Sequence, residues 1–359
     1  MRFTSLVVSA LAVLVSVVLS GALECSEPAQ TVATHGGELY ERTCSVCHGS
    51  SGEGYKADDA PALSHPEFLA SVTDGQLRSA ISYGRSGTTM SAWAIERGGP
   101  LSPSDVTAIV AHLRSWAKQP RAKLDERPRR GSATAGEALF ARECVRCHGD
   151  RGAGGPSEHI GGADLLAGAS DGFLRHAIRY GRAGTSMPAF ELSLGDQGVE
   201  DVIAALRSWA VTNANSSSSG SSSSFARPPP LPLGPVPLNP KGPAPVGFKP
   251  TPATTPADVI KAALDRGAKL ALLDARAPSD YMGEHIAGAV SVPFYDPDPY
   301  LDKLPKDAWL VAYCACPHAE SGNLARILMT KGFTKVTVLD EGLGYWRNHN
   351  YGTHKGEQP

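Results

Sequence analysis

Hydrophobic residues recur at helical spacing through the first two hundred residues of the chain. The clearest examples are two segments whose apolar positions are Val106, Ile109, Val110, Leu113 and Trp116, and Val202, Ile203, Leu206 and Trp209. A period of about 3.6 residues is typical of a helix with one buried face. Ser104 is the predicted N-cap of the first of these helices. Because this part of the sequence has no alternating strand pattern, we expect it to form small all-α domains.

The last hundred residues have a different pattern, in which short apolar runs alternate with helical segments. The predicted elements are helices over 256–267 and 323–330 and strands over 269–273, 290–292, 309–313 and 336–339. Strands and helices joined by brief connections are typical of an α/β domain with a parallel sheet. The functional side chains of such a domain are expected at the carboxyl ends of its strands. Cys314 directly follows one of the predicted strands.

A segment without hydrophobic periodicity separates these two parts. Eight serines lie between residues 216 and 224, and twelve prolines follow between residues 228 and 256. Serine-rich chain is flexible and proline-rich chain is extended, so this composition is that of a tether. The length of 359 residues predicts two to three domains.

The helical part is an internal duplication with an offset of about 100 residues. The offset aligns Gly36, Leu39, Tyr40, Cys44, Cys47, His48 and Gly49 with Gly136, Leu139, Phe140, Cys144, Cys147, His148 and Gly149. Two later segments, 80–85 and 87–90, align in the same way with 177–182 and 184–187. The predicted organisation is a first unit over 33–120, a second unit over 132–212, a linker over 213–253 and a third unit over 254–352.

Each helical unit contains one Cys-x-x-Cys-His motif, the attachment signature of c-type haem. Two thiols on one helical turn can each add to a haem vinyl group, while the adjacent imidazole binds the iron. A zinc or thiol redox site is the alternative for a single copy, but two copies in a duplicated unit favour haem. We therefore predict two covalently bound haem c groups. The attachment residues are Cys44, Cys47, Cys144 and Cys147, and the proximal iron ligands are His48 and His148.

A haem that only transfers electrons needs a second protein ligand on the iron, commonly Met or His. Met90 and Met187 each lie about 40 residues after the haem-binding histidine of their unit, both in a Gly-x-x-Met context. A methionine that only fills a core would not need the same placement in both copies, so we predict these two as axial ligands. This ligand set also argues against a dihaem peroxidase, which needs an open iron site. The competing histidines, interpreted as surface or packing residues, are His65, His112, His159 and His176.

With these motifs the two helical units resemble tandem class I cytochromes c. The match includes the glycine and the aromatic residue of the family's first helix, which are Gly36 and Tyr40 in the first unit and Gly136 and Phe140 in the second. The resemblance implies that these residues pack against the closing helix, which carries Trp116 or Trp209.

One difference separates the two units at the predicted methionine ligands. Met187 is followed by Pro188, as is common in the family, whereas Met90 is followed by Ser91. We therefore expect the two haems to have unequal reduction potentials.

The third unit resembles the rhodanese-like family, which implies an α/β fold with a parallel sheet. The matching residues are Asp274, Ala275, Arg276, Asp280, Tyr281, the run 285–289, Val292, Pro293, Glu341, Gly342 and Trp346. Cys314 stands where that family keeps its nucleophile. The resemblance implies that its thiolate accepts a sulfane sulfur, holds it as a persulfide and passes it to an acceptor.

The loop after Cys314 departs from the rhodanese-like pattern. It is one residue longer than usual, and it holds Glu320 where an Arg or Lys often steadies an anionic donor. His318 is the candidate cation, and it would lower the thiol pKa if it pointed inward. Cys316 is interpreted as an auxiliary thiol. Glu320 favours a second hypothesis, in which the rhodanese-like domain is catalytically idle and docks a partner.

The N-terminus predicts export. Met1 and Arg2 precede an apolar stretch over 6–19 and then small residues, so residues 1–24 have the pattern of a secretory signal peptide. Two alternatives remain open, which are an uncleaved membrane anchor and lipidation of Cys25. The expected location is the periplasm, either free or tethered to a membrane and facing the periplasm.

The charge of the chain excludes one class of partner. Lys and Arg total 34 and Asp and Glu total 36, so the formal net charge is -2, which gives no electrostatic footprint for nucleic acid. The expected partners are redox proteins that donate and accept electrons, together with a sulfur donor or carrier for Cys314. The predicted function is an exported dihaem electron carrier with a sulfur-carrying domain, and a role in oxidising reduced sulfur compounds is the hypothesis that joins them. Sulfurtransferase activity depends on Cys314.

Overall fold

The computed structural model describes residues 29–54, 57, 60–85, 88–155, 157, 159–183, 185–217, 235–315 and 318–359. The predicted signal peptide, Cys25 and Cys316 lie outside these residues. Two helical units precede one α/β unit with a parallel sheet, which confirms the predicted fold class. Over the described ranges, no helix is both long enough and apolar enough to span a bilayer.

The two helical units repeat the same order of elements. The first contains α1 (Ala29–Thr43), α2 (Ser45–His48), α3 (Pro66–Ser71), α4 (Asp74–Tyr83) and α5 (Pro103–Ser115). The second contains α6 (Ala133–Glu143), α7 (Val145–His148), α8 (Ala163–Gly168), α9 (Asp171–Tyr180) and α10 (Glu191–Ser217). Single 3₁₀ turns lie at Ile95–Arg97 and Asp150–Gly152. The duplication in the sequence is therefore a duplication of structure.

In each unit the first helix crosses the closing helix at a glycine. A Cβ atom added to Gly36 would lie 1.9 Å from the carbonyl oxygen of Ala108, and one added to Gly136 would lie 1.8 Å from that of Asp201. Only a residue without a side chain permits so close an approach of two backbones. This crossing fixes the helix that leads into each Cys-x-x-Cys-His motif.

An aromatic pair stands beside each crossing. The Tyr40 and Trp116 rings meet edge to face at 5.0 Å, and the Phe140 and Trp209 rings do so at 4.8 Å. These contacts confirm the packing that the cytochrome c resemblance implies.

Two boundaries differ from the sequence-based expectations. Ser102, not Ser104, caps α5, because its hydroxyl accepts from the Asp105 N–H while the Asp105 carboxylate accepts from the Ser102 N–H. This capping box places Pro103 in the first turn, where its missing N–H costs nothing. Helix α10 runs through Ser217 and includes five residues assigned to the linker, since no Gly or Pro interrupts them.

The third unit is built on a five-stranded parallel sheet. The strands of the whole unit, including those outside this sheet, are β1 (Thr254–Thr255), β2 (Leu270–Asp274), β3 (His285–Ile286), β4 (Ala289–Ser291), β5 (Trp309–Tyr313), β6 (Val336–Leu339) and β7 (Thr353–His354). Its helices are α11 (Ala257–Asp265), α12 (Pro278–Gly283), α13 (Ala319–Thr330) and α14 (Gly342–Asn348), with a 3₁₀ turn at Asp298–Lys303. The sheet order is β1-β6-β5-β2-β4, and β3 pairs with β7 in a small antiparallel ribbon. The four predicted strands are present, and the two-residue strands β1, β3 and β7 were too short to show a pattern.

The end of the predicted linker packs on the third unit. The Asn239 amide donates to the Gly267 carbonyl at 2.7 Å, and the Thr251 N–H donates to the Val336 carbonyl at 2.8 Å. A Cβ added to Gly242 would lie 2.2 Å from the Gly267 oxygen. Residues 239–253 are thus structured chain of the third unit.

The two helical units face each other through matched elements. Helix α4 lies against α8, and α3 lies against α9. Helix α8 is the counterpart of α3, and α9 is the counterpart of α4. The two contacts are therefore equivalent, as in an approximate two-fold arrangement of the two units. Arg85 donates to the His159 carbonyl at 2.8 Å, and its counterpart Arg182 lies over the Phe68 ring at 5.4 Å. Each arginine therefore reaches from its own unit into the other.

Candidate functional site

The two Cys-x-x-Cys-His motifs form identical single helical turns. The His48 N–H donates to the Cys44 carbonyl, and the His148 N–H donates to the Cys144 carbonyl, both at 3.0 Å. Cys44 and Cys144 stand at the N-caps of α2 and α7, and all four cysteines are half-buried. Each turn therefore brings two thiols and one imidazole together, as attachment of haem c requires.

His48 has the tautomer that an iron ligand needs. Its ring is buried, and its Nδ1 lies 2.9 Å from the Pro61 carbonyl oxygen. A carbonyl oxygen can only accept a hydrogen bond, so Nδ1 carries the proton and Nε2 keeps its lone pair for a metal. Burial, and to a lesser extent the charge of Arg85, lowers the pKa of His48 and favours the neutral imidazole. These residues fit a haem.

The two methionine segments are held by the same three hydrogen bonds. The Arg85 N–H donates to the Met90 carbonyl at 3.1 Å, the Met90 N–H donates to the Thr88 hydroxyl at 3.1 Å, and that hydroxyl donates to the Arg85 carbonyl at 2.7 Å. The same bonds in the second unit measure 3.0, 3.1 and 2.8 Å and join Arg182, Met187 and Thr185. The sequence similarity of the two segments thus reflects one shared local structure.

A glycine with positive φ precedes each methionine segment. Gly84 has φ 69° and Gly181 has φ 63°, which favours glycine over any residue with a side chain. A Cβ added to Gly84 would lie 2.5 Å from the Met90 carbonyl oxygen, and one added to Gly181 would lie 2.6 Å from that of Met187. The end of α4 or α9 therefore presses directly on the methionine segment.

The competing histidines have packing or surface roles. His65 bonds the Ala183 carbonyl at 2.8 Å across the contact between the two units. His112 packs between Tyr40 and Trp116, and His176 packs on Tyr180. These contacts agree with the interpretation of the histidines from sequence.

Cys314 lies at the carboxyl end of β5 and is buried. Its Sγ is 3.2 Å from the Ser321 hydroxyl in the first turn of α13, and its carbonyl accepts from the Leu343 N–H at 2.9 Å. Gly342 has φ 70°, and a Cβ there would lie 2.9 Å from the Ala315 carbonyl oxygen. The start of α14 thus closes against the Cys314 loop.

A buried charge network fixes the strand ends beside Cys314. The Arg276 guanidinium forms two hydrogen bonds with the Asp274 carboxylate at 2.9 and 2.6 Å. The Tyr313 hydroxyl also donates to Asp274, at 2.8 Å, and accepts from the Ile286 N–H at 3.0 Å. The motif residues Asp274 and Arg276, together with Tyr313, join β2, β3 and β5 and so hold the edge that carries the thiol.

His318 does not face Cys314. Its ring is exposed, and its Nε2 lies 2.8 Å from an Asp340 carboxylate oxygen. The residue is the N-cap of α13 with φ 74°, a left-handed conformation that turns the loop toward the helix. The expected inward cation is therefore not supplied by His318.

Glu320 is the residue whose environment sequence reasoning missed. The side chain is buried in the first turn of α13. Burial first, and then the charges of Cys314 and Asp280, raise the pKa of Glu320 well above its ordinary value, and Arg276 only partly opposes this. Burial therefore opposes a full negative charge on Glu320 beside Cys314, which its sequence position alone did not suggest. The raised pKa follows from the burial of Glu320 in the folded chain, which the sequence does not show.

The fold and the sites together define a class of protein, a dihaem c-type cytochrome joined to a rhodanese-like domain. Residues 31–113 and 131–204 match the family model described as cytochrome C oxidase, cbb3-type, subunit III, and residues 256–349 match the model of the rhodanese-like domain. The first two units are thus cytochrome c domains that bind two haem c groups covalently, and the third is a rhodanese-like domain. Both resemblances and the predicted cofactor are confirmed.

Curated relatives match the cytochrome part. A cbb3-type cytochrome c oxidase subunit FixP of Bradyrhizobium sp. (strain ORS 278) is 31% identical over 167 residues, which are 44% of this chain and 53% of that protein. A thiosulfate dehydrogenase electron acceptor of Thiomonas intermedia (strain K12) is 28% identical over 151 residues, which are 40% of this chain and 64% of that protein. The chain spans about half the length of the first curated relatives it matches.

A solved structure resembles the third unit. The rhodanese-like domain from Anabaena sp. is 29% identical, covers 30% of this chain and 80% of its own, and has a TM-score of 0.28.

Proposed function

We propose that the protein is an exported electron carrier whose two haems have His and Met ligands, and whose Cys314 carries sulfane sulfur. The observation that supports the carrier role best is the shared hydrogen-bonded scaffold of the Met90 and Met187 segments. We propose domains at 33–120, 132–212 and 254–352, with residues 239–253 packed on the last of them.

In this proposal, haem c supplies one-electron chemistry when bound, and the chain fixes its ligands. Cys44 and Cys47 would form the thioether links of the first haem, and His48 and Met90 would bind its iron. The bond from His48 Nδ1 to Pro61 orients the imidazole. The corresponding residues of the second haem are Cys144, Cys147, His148 and Met187. Two protein ligands on each iron would leave no position for peroxide, and such a ligand set suits electron transfer.

The second unit is the better candidate for contact with an external redox protein. Ser91 is buried after Met90, whereas Pro188 and Ala189 are exposed after Met187. Two large apolar side chains are also exposed on this unit, Tyr180 at 53% and Leu192 at 99%. Exposed apolar side chains are the kind of surface that a partner can cover.

The sulfur chemistry proposed for Cys314 is a transfer without net oxidation. The Cys314 thiolate attacks the terminal sulfur of a polysulfide, an S–S bond forms on Cys314, and the S–S bond in the donor breaks. The leaving group is a polysulfide chain shorter by one sulfur, which takes the electron pair. The relative named a thiosulfate dehydrogenase electron acceptor supports a link between such chemistry and the haems.

The test uses the haem-loaded chain and its Cys314→Ser and Cys316→Ser variants. After treatment with polysulfide, the wild type and Cys316→Ser should gain the mass of one sulfur atom on the loop peptide, and Cys314→Ser should not. If the wild type and Cys314→Ser behave alike in this assay, the idle docking domain replaces the sulfur carrier.

The electron-carrier half has a separate test. Haem quantification should give two covalent haems per chain with low-spin His/Met spectra. A single haem, or a high-spin haem that binds peroxide, contradicts the proposed ligands.

A further inference from the structure

We propose that the first unit is docked on the carboxyl edge of the rhodanese sheet through the segment Ser91–Trp93, where it covers the entrance to Cys314. The consequence of this docking is that the first haem is the one that faces the sulfur site, and that consequence rests on the proposed function. The docking itself is argued from contacts between the two units.

Hydrogen bonds join the residues that follow Met90 to the start of α12. The Ser91 hydroxyl donates to the Asp280 carboxylate, and the Ser279 hydroxyl donates to the Ala92 carbonyl at 3.3 Å. Ser91 is buried, and Asp280 is enclosed deeply enough that burial raises its pKa. A carboxyl group that is largely removed from water needs a hydrogen-bond donor, and Ser91 supplies one from the other unit, so the pair is part of a packed contact.

An aromatic cluster continues the same interface. The Trp93 ring lies 6.4 Å from the Phe294 ring, edge to face, and 5.5 Å from the Tyr295 ring. Trp93 and Phe294 are both buried. Pairs of this geometry add to the free energy that burial of the rings provides.

All these contacts lie on one edge of the sheet. Asp280 follows β2, Phe294 and Tyr295 follow β4, and α13 follows β5. The connections that leave the carboxyl ends of parallel strands meet at the same edge, which is where α/β domains bind their ligands. Helix α13, whose first turn holds Ser321 beside Cys314, also lies against the haem-attachment helix α2. The first unit therefore covers the edge that carries the thiol.

Electrostatics connects the docking residue with the nucleophile. Burial first, and then the charges of Cys314 and Asp280, raise the pKa of Glu320. Glu320 thus lies within electrostatic reach of the thiol and of the interface. Asp280 in turn accepts from Ser91, the residue that follows Met90.

The second unit provides an internal comparison. Pro188 occupies the position that corresponds to Ser91, and it is exposed. Proline has no hydroxyl to donate, so the second unit lacks the group that binds Asp280. The departure from the common Met-Pro pair in the first unit is thereby explained, because this position serves the contact between domains.

The first test measures access to Cys314 in the haem-loaded full chain, with Cys316→Ser as background and without any sulfur donor. Ser91→Asp places a second carboxylate against Asp280 and removes the hydrogen bond. We expect iodoacetamide to alkylate Cys314 about tenfold faster, as loss of a hydrogen bond to a charged group implies. The matched control Pro188→Asp should leave the rate unchanged. Equal rates in Ser91→Asp and the background chain, or equal acceleration by Pro188→Asp, overturn the docking.

The second test measures the potential of the first haem, assigned with a Met90→His variant. Ser91→Ala and Asp280→Asn should each shift the first haem and leave the second unchanged, and the double variant should shift no further than the larger single change. Additive shifts, or no shift in Asp280→Asn, overturn the positioning role of Asp280. Neither test uses a sulfur compound, so the docking can fail while persulfide formation succeeds, and the reverse can also occur.

Discussion

Replacement of Gly36 by alanine should weaken the first haem unit at the crossing of α1 and α5. The added Cβ would lie 1.9 Å from the Ala108 oxygen and 2.4 Å from its carbonyl carbon. Non-bonded carbon atoms come to rest about 3.5–4.0 Å apart, so the two helices must separate by more than 1 Å. Such overpacking costs about 1–3 kcal/mol.

The same substitution also has a favourable effect on stability, which reduces the net loss of unfolding free energy. Alanine is better than glycine inside a helix by about 1 kcal/mol. We therefore expect a net loss of about 1–2 kcal/mol, because separation of α1 and α5 also disturbs the Tyr40 and Trp116 contact. For a unit of this size, a loss of that order lowers the melting temperature by about 5–15 °C.

The assay is thermal unfolding of the haem-loaded chain, followed by the haem absorption of the first unit. Gly75→Ala is the matched control, since it lies in α4 of the same unit and an added Cβ would meet only the Thr73 hydroxyl, at 3.8 Å. The control should be neutral or slightly more stable. If Gly36→Ala melts at or above the wild-type temperature, the close approach of the two backbones is wrong.

Three further predictions concern other sites. The pKa of Glu320 is raised on folding, so its contribution to stability is present at low pH and is lost as the pH rises. Glu320→Gln should therefore become more stable than wild type toward neutral pH, and urea midpoints of the two proteins that change in parallel with pH would contradict this. Arg175 is buried and makes two hydrogen bonds to Glu200, so Arg175→Met should lower the free energy of unfolding in urea by about 3–5 kcal/mol, and the double variant with Glu200→Leu should recover much of the loss. An Arg175→Met variant as stable as wild type refutes the buried pair. Met90→Ala should give one high-spin haem that binds cyanide more readily and leave the Met187 haem low-spin, and an unchanged spectrum would exclude Met90 as a ligand.

Local sequence signals were enough for most of the architecture. The duplication, the two haem-attachment turns and the strands that end at Tyr313 and Leu339 follow from spacing and periodicity, because each depends on residues close together in the chain. The position of Cys314 at the end of β5 follows for the same reason. The packing of Gly36 needed the family resemblance in addition.

The residues that sequence reasoning misjudged depend on distant parts of the chain. His318 points toward Asp340, 22 positions away, and Ser91 binds Asp280, 189 positions away. The raised pKa of Glu320 arises from burial by several connections at once. No pattern of neighbouring residues encodes such contacts, so only the folded chain reveals them.

The equivalent contacts of α4 with α8 and of α3 with α9 give the two haem units the geometry of a symmetric dimer held within one polypeptide. An ordinary dimer of single-haem units dissociates on dilution, but residues 116–132 join these two covalently and keep their effective concentration high. Electron exchange between the two haems is consequently a first-order process whose rate does not depend on how much of the protein is present.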